Sequence, residues 1–139
     1  MNCETLNQPI TVDEIKTAIR ALKDQKAAGP DGLIGEFYKN STVHILPFLV
    51  KFSNFIFDHG LFPDEWSLAI LHPLHKKGDI NVPDNYRGIS LLNICSKLYS
   101  FVLNKRITKW IVDNEISGEE QPVLGMNVVL LTIFLLFQC

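Results

Sequence analysis

Seven consecutive residues, Lys26-Ala27-Ala28-Gly29-Pro30-Asp31-Gly32, constrain the fold of this chain more than any other stretch. Pro30 lacks an amide hydrogen and its ring obstructs a helix, while Gly29 and Gly32 favour tight turns. No regular element can run through them, so the segments on either side must be separate units. Upstream, Thr11 and Glu14 have the spacing of a capping box. Ile15, Ala18, Ile19 and Leu22 then recur at helical spacing, which predicts a helix over 12–24 with one buried stripe. Downstream, Asp31 is expected to cap a short helix through Tyr38. Ile45, Phe48, Leu49, Phe52, Phe55 and Ile56 predict a further helix, with Pro47 in its first turn and Gly60 at its end.

The second half reads differently. Phe62 to Trp66 is a connector with two aromatic anchors. Leu68–His75 and Tyr86–Leu92 have strand character, separated by a turn at 76–79 and a Pro83-containing loop over 80–85. From Asn93 to about Ile116 the period is helical again: Ile94, Leu98, Phe101, Val102, Trp110 and Ile111 are apolar. Lys105 and Lys109 lie four apart on an outer face, with Arg106 beside them. The fold class is therefore α+β, mostly helical with one short basic β-hairpin. Two strands alone are marginal, so the unit reads as incomplete.

Charge is uneven along the chain. The 139 residues carry a formal net charge of −2, which by itself argues against a nucleic-acid partner. Residues 67–110, however, hold seven basic side chains and two acidic ones, a local +5, whereas 1–66 sum to −3 and 111–139 to −4. A basic central segment is what phosphates attract, and it is equally what a solvated surface presents. Cys3, Cys95 and Cys139 are too few and too scattered for a disulfide scaffold or a zinc ribbon. The N-terminus has no basic or apolar signal region, so an intracellular location is expected. Residues 122–139 carry no charge. Val128 to Phe137 is apolar apart from Thr132, which is shorter than a spanning helix requires. It reads as a buried element, a weak tail anchor, or sequence never selected to fold.

Most motifs that would announce an enzyme are missing. No Walker or dinucleotide-binding glycine pattern occurs, and no nucleophile elbow. His72 and His75 are three apart, which on a strand places them on opposite faces, so joint metal binding is not expected. Asp64-Glu65 and Glu119-Glu120 are adjacent pairs that diverge into solvent. No catalytic residue and no metal site can be assigned. The hairpin is more informative. Lys76 and Lys77 end one strand and Arg87 begins the next, bringing mobile ammonium groups and a fork-shaped guanidinium together, as a polyphosphate requires. Gly78 permits close backbone approach there. Solubilising lysines at an exposed tip would look the same.

The order of the short motifs goes further. Lys26–Gly32, Trp66, Leu71-His72-Pro73-Leu74-His75-Lys76-Lys77-Gly78-Asp79, Asn85-Tyr86-Arg87-Gly88-Ile89-Ser90-Leu91-Leu92 with Lys97-Leu98, and Arg106 with Glu120-Gln121 follow one another over residues 10–121. Each is weak alone; the ordered set resembles the N-terminal part of a LINE-type (non-LTR) retrotransposon reverse transcriptase domain. The resemblance implies the fingers and the first palm edge of an incomplete right-hand polymerase. It implies that Lys76, Lys77 and Arg87 hold the triphosphate of an incoming deoxynucleotide. Lys26, Gly29, Asp31 and Gly32 would lie near the RNA template, and Lys97, Lys105, Arg106 and Lys109 beside the template–primer backbone. The implied partners are an RNA template, a DNA primer and a deoxynucleoside triphosphate, with no membrane.

The complete family domain uses Mg²⁺ held by palm aspartates, in an Asp-bearing strand and a Tyr-x-Asp-Asp hairpin. No Tyr-x-Asp-Asp occurs in this chain, so this segment is expected to bind no cofactor and to be inactive alone. Ala28 stands where the family often has Pro. After Gln121 the family's Ala-Gly-Phe-Arg block is replaced by Pro122-Val123-Leu124-Gly125, as a frame-shifted or decayed continuation would read. The expected organisation is a leader over 1–9, the partial domain over 10–121 and a departing tail over 122–139. The alternative is a non-enzymatic interaction protein or one anchored through its tail. Without a palm to cover them, Trp66, Phe101 and Trp110 are expected to be exposed.

Overall fold

A computed structural model describes residues 6–114. In chain order it contains helix α1 (Val12–Ala21), helix α2 (Gly35–Asn40), helix α3 (Thr42–His59), a 3₁₀ turn at Asp64–Ser67, strand β1 (Ile70–His75), a 3₁₀ turn at Pro83–Asn85, strand β2 (Tyr86–Leu91) and helix α4 (Ile94–Asp113). The α+β character is as expected. The apolar tail over 122–139 lies outside the described residues, and among those residues no helix is long and apolar enough to cross a membrane.

Local chemistry accounts for the helix limits. The capping box of α1 closes in both directions: the Thr11 amide donates to Glu14 Oε2 at 2.8 Å, and the Glu14 amide to Thr11 Oγ1 at 3.3 Å. The helix stops at Ala21 rather than residue 24, because Leu22 turns extended. The chain then bends through Gln25, whose φ of 56° is unusual for a residue with a side chain. The Glu36 carboxylate holds that bend by accepting the Gln25 amide at 2.5 Å. Asp31 does not cap α2. It folds its carboxylate onto the Leu33 amide at 3.1 Å, and α2 begins only at Gly35. Ser41 alone separates α2 from α3: its amide donates to Phe37 O and its carbonyl accepts from the Ile45 amide, both at 3.0 Å. Helix α3 therefore begins at Thr42, and Pro47 falls in its second turn rather than its first. Gly60 ends α3 in the left-handed conformation, at φ 66°.

The core lies where α1, α3 and α4 meet. Ile15, Ile19, Ile56 and Val102 are almost completely withdrawn from solvent, each contributing about 2 kcal/mol of hydrophobic stabilisation. Ala18, Leu98 and Tyr99 complete the contact, and Ser53 supplies a small buried surface on α3. Two polar side chains pin the segment before α1. Asn54 on α3 accepts the Ile10 amide at 2.6 Å and donates to the Ile10 carbonyl at 2.8 Å. Arg106 on α4 grips Glu14 and the carbonyls of Leu6, Gln8 and Pro9. Part of the expected leader is thus built into the helical body. Trp66 and Phe101 pack half-buried against the core, so the expectation that they are exposed is corrected. Trp110 is also only half-exposed. The exposed apolar side chains include three rings on α2 and α3, Phe37, Phe48 and Phe55. The apolar period of α3 wraps beyond the faces it packs on α1 and α2, which leaves Phe48 and Phe55 outside.

Strands β1 and β2 pair antiparallel, with Ile70 opposite Leu91, His72 opposite Ile89, Leu74 opposite Arg87 and His75 opposite Tyr86. Pro73 faces Gly88. The Lys76 amide donates to Asn85 O at 2.7 Å, so alternation places Pro73 at a non-hydrogen-bonded position, where its missing N–H points away from β2. The hairpin packs almost entirely on itself. Every residue from Ser67 to Asp84 is exposed.

Candidate nucleic-acid interface

Three sets of residues singled out in the sequence occupy three places: the Lys26–Gly32 turn, the hairpin arm and the outer face of α4. The turn is seated against the junction of β2 and α4. Gly29 is buried there, and a Cβ added to it would lie 2.5 Å from the carbonyl carbon and oxygen of Leu92. Only glycine allows that approach. The Asp31 amide donates to Asn93 Oδ1 at 3.2 Å, which ties the turn to the residue capping α4. Gly32 turns outward at φ 70° with open space around it. Lys26 is exposed and Lys97 half-buried. Burial lowers the Lys97 pKa, and the neighbouring Asp31 carboxylate opposes that shift. Gly29, Asp31 and Lys97 are therefore brought together, with Lys26 on the same turn.

The arm carries the other cations. Side chains alternate along a strand, so Lys76 falls on the same hairpin face as Arg87, on the diagonal of the Leu74–Arg87 pair. His72 shares that face, and His75 lies on the opposite one, its ring tilted against that of Tyr86 with centroids 5.1 Å apart. The loop between the strands is ordered by its own polar groups. Asn85 Nδ2 donates to Asp79 O at 2.8 Å, Asp79 Oδ1 accepts the Asn81 amide at 2.9 Å, and the Tyr86 hydroxyl donates to Ile80 O at 2.9 Å. Gly78, at φ 92°, leaves room for the Asn85 amide, which a Cβ would meet at 2.7 Å. Among the described residues no ion pair engages Lys76, Lys77 or Arg87.

On α4, Lys105 and Lys109 are exposed at the mouth of a cleft against α1, which Asp13, Glu14 and Thr17 also line. Arg106 faces inward. Its Nε meets Glu14 Oε1 at 2.6 Å, its Nη2 meets Glu14 Oε2 at 2.7 Å and Pro9 O at 2.8 Å, and its Cζ lies 5.7 Å from the centre of the Phe57 ring. Arg106 holds the Glu14 carboxyl down at about 2. The sequence offers no sign that one member of the Lys105-Arg106 pair turns inward, because its partner Glu14 lies 92 residues away. Burial pushes the Cys95 thiol up to about 11, and its side chain packs against the core. Among the described residues no group of three or more His, Cys, Asp or Glu side chains is placed to hold a metal ion.

Asn93, which no sequence motif flagged, joins these parts. It is buried at 5% exposure and donates Nδ2 to Glu65 O at 3.1 Å while its Oδ1 accepts the Asp31 amide. A polar residue following an apolar strand end is ordinary, so nothing in the sequence distinguished it.

Comparison with known proteins agrees with the motif order. No family model matches the chain. The probable RNA-directed DNA polymerase from transposon BS of Drosophila melanogaster is 31% identical over 115 residues, covering 82% of this chain and 13% of that protein. The transposon TX1 uncharacterized 149 kDa protein of Xenopus laevis is 33% identical over 104 residues, 75% of this chain and 8% of its own length. The RNA-directed DNA polymerase from mobile element jockey of Drosophila melanogaster is 34% identical over 106 residues, 71% of this chain and 11% of that protein. The chain spans between 8% and 13% of the length of these relatives. With its ordered motifs and its identity to these proteins over most of its length, this chain belongs to the LINE-type, non-LTR retrotransposon RNA-directed DNA polymerases.

Proposed function

We propose that this chain is the fingers region of an RNA-directed DNA polymerase and binds nucleic acid and nucleotide without carrying the catalytic metal site. In this reading the hairpin arm holds the triphosphate of a deoxynucleotide: Lys76 and Lys77 supply point charges and Arg87 a fork to the phosphate oxygens. The Lys26–Gly32 turn, with Lys97, contacts the RNA template. Lys105 and Lys109 neutralise template–primer phosphates, and Arg106 holds the body of the domain together beneath them. The observation that carries the reading is the arm itself. It stands clear of the helical body with Lys76 and Arg87 on one face, and among the described residues no carboxylate is paired to either. A group of cations is kept unpaired where a polyanion can reach it.

The activity of a complete polymerase belongs to residues beyond this set, so primer extension with Mg²⁺ by this chain is expected to give no product. Detected extension would overturn that part of the reading. Binding tests the rest. A single-stranded RNA and a deoxynucleoside triphosphate are titrated against the wild type, Lys77→Ala and Arg87→Ala over a salt series. Removing one cation that neutralises a phosphate is expected to lower the slope of log K against log salt by about 0.7 to 1. Unchanged affinity and unchanged slope in both variants would refute the assignment.

A further inference from the structure

One buried carboxamide meets two distant stretches of chain at the point where the arm leaves the body. Asn93 Oδ1 accepts the Asp31 amide of the Lys26–Gly32 turn, 62 residues away, and Nδ2 donates to Glu65 O, 28 residues away. Its own backbone lies one residue beyond β2 and caps α4, with Asn93 O accepting from the Lys97 amide at 3.2 Å and from Ser96 Oγ at 2.8 Å. Gly29 presses on the adjoining Leu92 carbonyl, so turn and junction are in contact across backbone as well as side chain. The Asn93 side chain does not cap its own helix. Asparagine at a helix start ordinarily uses its side-chain oxygen on the first free amides of that helix. Here the oxygen goes to the turn instead. A carboxamide is the group such a junction needs, because it donates and accepts at once, whereas a carboxylate only accepts. With the residue buried, either partner left unmet would cost a desolvated polar group.

We infer that Asn93 is a positioning residue: its carboxamide fixes the Lys26–Gly32 turn against the root of the basic hairpin, and so couples template contacts to nucleotide contacts. The coupling rests on the function proposed above; the latch itself does not. The two bonds act on opposite sides of the junction. The Glu65 bond holds the 3₁₀ turn that leads into β1, and the Asp31 bond holds the template-side turn at the exit of β2. The arm is rooted between them, and little else in the body touches it to set its direction.

The full chain tests both parts. Amide hydrogen exchange at Asp31 reports the latch directly, since that N–H is the donor. Exchange is compared in the wild type, Asn93→Ala, Asn93→Leu and Asn93→Asp. Asn93→Ala and Asn93→Leu are expected to speed Asp31 exchange about tenfold, the factor that corresponds to removal of one hydrogen bond, with the core amides of α1 unchanged. Asn93→Asp retains the acceptor for Asp31 but loses the donor to Glu65, so Asp31 exchange is expected to rise less than in Asn93→Leu, a difference that loss of general stability would not produce. If Asn93→Ala does not fold, the Asp and Leu pair makes the same comparison. Unchanged Asp31 exchange in the Ala or Leu variant, or equally fast exchange in the Asp variant, would overturn the latch.

For the coupling, RNA affinity is measured with and without a deoxynucleoside triphosphate. The wild type should bind each more tightly in the presence of the other. Asn93→Ala should bind each alone within about threefold of wild type and lose the mutual enhancement. Retained enhancement in Asn93→Ala would overturn the coupling. A wild-type chain that binds neither ligand would refute the proposed function and the coupling with it, while the Asp31 exchange still decides the latch.

Discussion

Arg106 spends its guanidinium on Glu14 and on three carbonyls of the segment before α1, and this anchors α1 to α4. The pair is only partly withdrawn from water, with side-chain exposures of 10% and 28%, so its contribution is modest. Its pH dependence has a definite sign. The Glu14 carboxyl titrates at about 2 in the folded chain against 4.5 as the reference. The stabilisation is therefore complete above about pH 4.5 and is lost as pH falls toward 2. Urea unfolding at pH 6 and pH 3 should show the wild type losing about 1 to 2 kcal/mol more than Glu14→Gln between the two. An equal loss in both would assign the acid sensitivity to other groups. Gly29 is a second single-residue constraint. A Cβ 2.5 Å from the Leu92 carbonyl must displace backbone. Gly29→Ala should accordingly cost about 2 kcal/mol or more in a denaturation midpoint. Gly32→Ala, in open space at φ 70°, should cost only about 1 kcal/mol from conformation.

Among the elements, α3 contains its own weak point. Pro47 lies in its second turn, where the missing N–H leaves the Val43 carbonyl without its helical donor. Val43 and Pro47 are both exposed, so packing does not require the proline. Pro47→Ala is expected to raise stability by about 1 to 3 kcal/mol, read as a shift in thermal midpoint. A decrease would mean that the proline shapes the helix path in a way its exposure does not reveal. The hairpin is at the other extreme. It is a two-stranded ribbon exposed from Ser67 to Asp84, so its amides should exchange well before those of α1 and α4. The elements themselves are legible in the sequence because each follows from neighbouring residues: the Thr11–Glu14 box, the Gly60 cap and the turn around Gly78. The start of α3 is not, because Ser41, which divides α2 from α3, carries no strong breaker signal. The inward turn of Arg106 is invisible in the sequence because it depends on Glu14, a partner distant along the chain.

The described residues form a helical body bearing an arm, and the body presents exposed aromatic surface on α2 and α3. Phe37, Phe48, Phe52 and Phe55 flank an open groove on α2 and α3, with Phe48 at 74% exposure. A ring as exposed as Phe48 adds little to the stability of this unit and favours association in water. Phe48→Glu should leave the thermal midpoint within about 0.5 kcal/mol of wild type and reduce the apparent mass in light scattering at high concentration. Unchanged scattering would place the associating surface elsewhere.

The sequence alone determined the breakpoints, the helical and strand periods, the basic character of the hairpin and the order of motifs that marks the family. These are local properties: caps, turns and alternation act within a few residues, and charge is simply counted. Only the tertiary structure decided which basic side chains stay unpaired and which, like Arg106, are spent on the fold. It also decided that Gly29 and Asp31 meet the root of the hairpin through Asn93, and that the exposed aromatic surface lies on α3 instead of at Trp66. Those outcomes depend on residues tens of positions apart arriving at the same place, and no local pattern encodes that convergence.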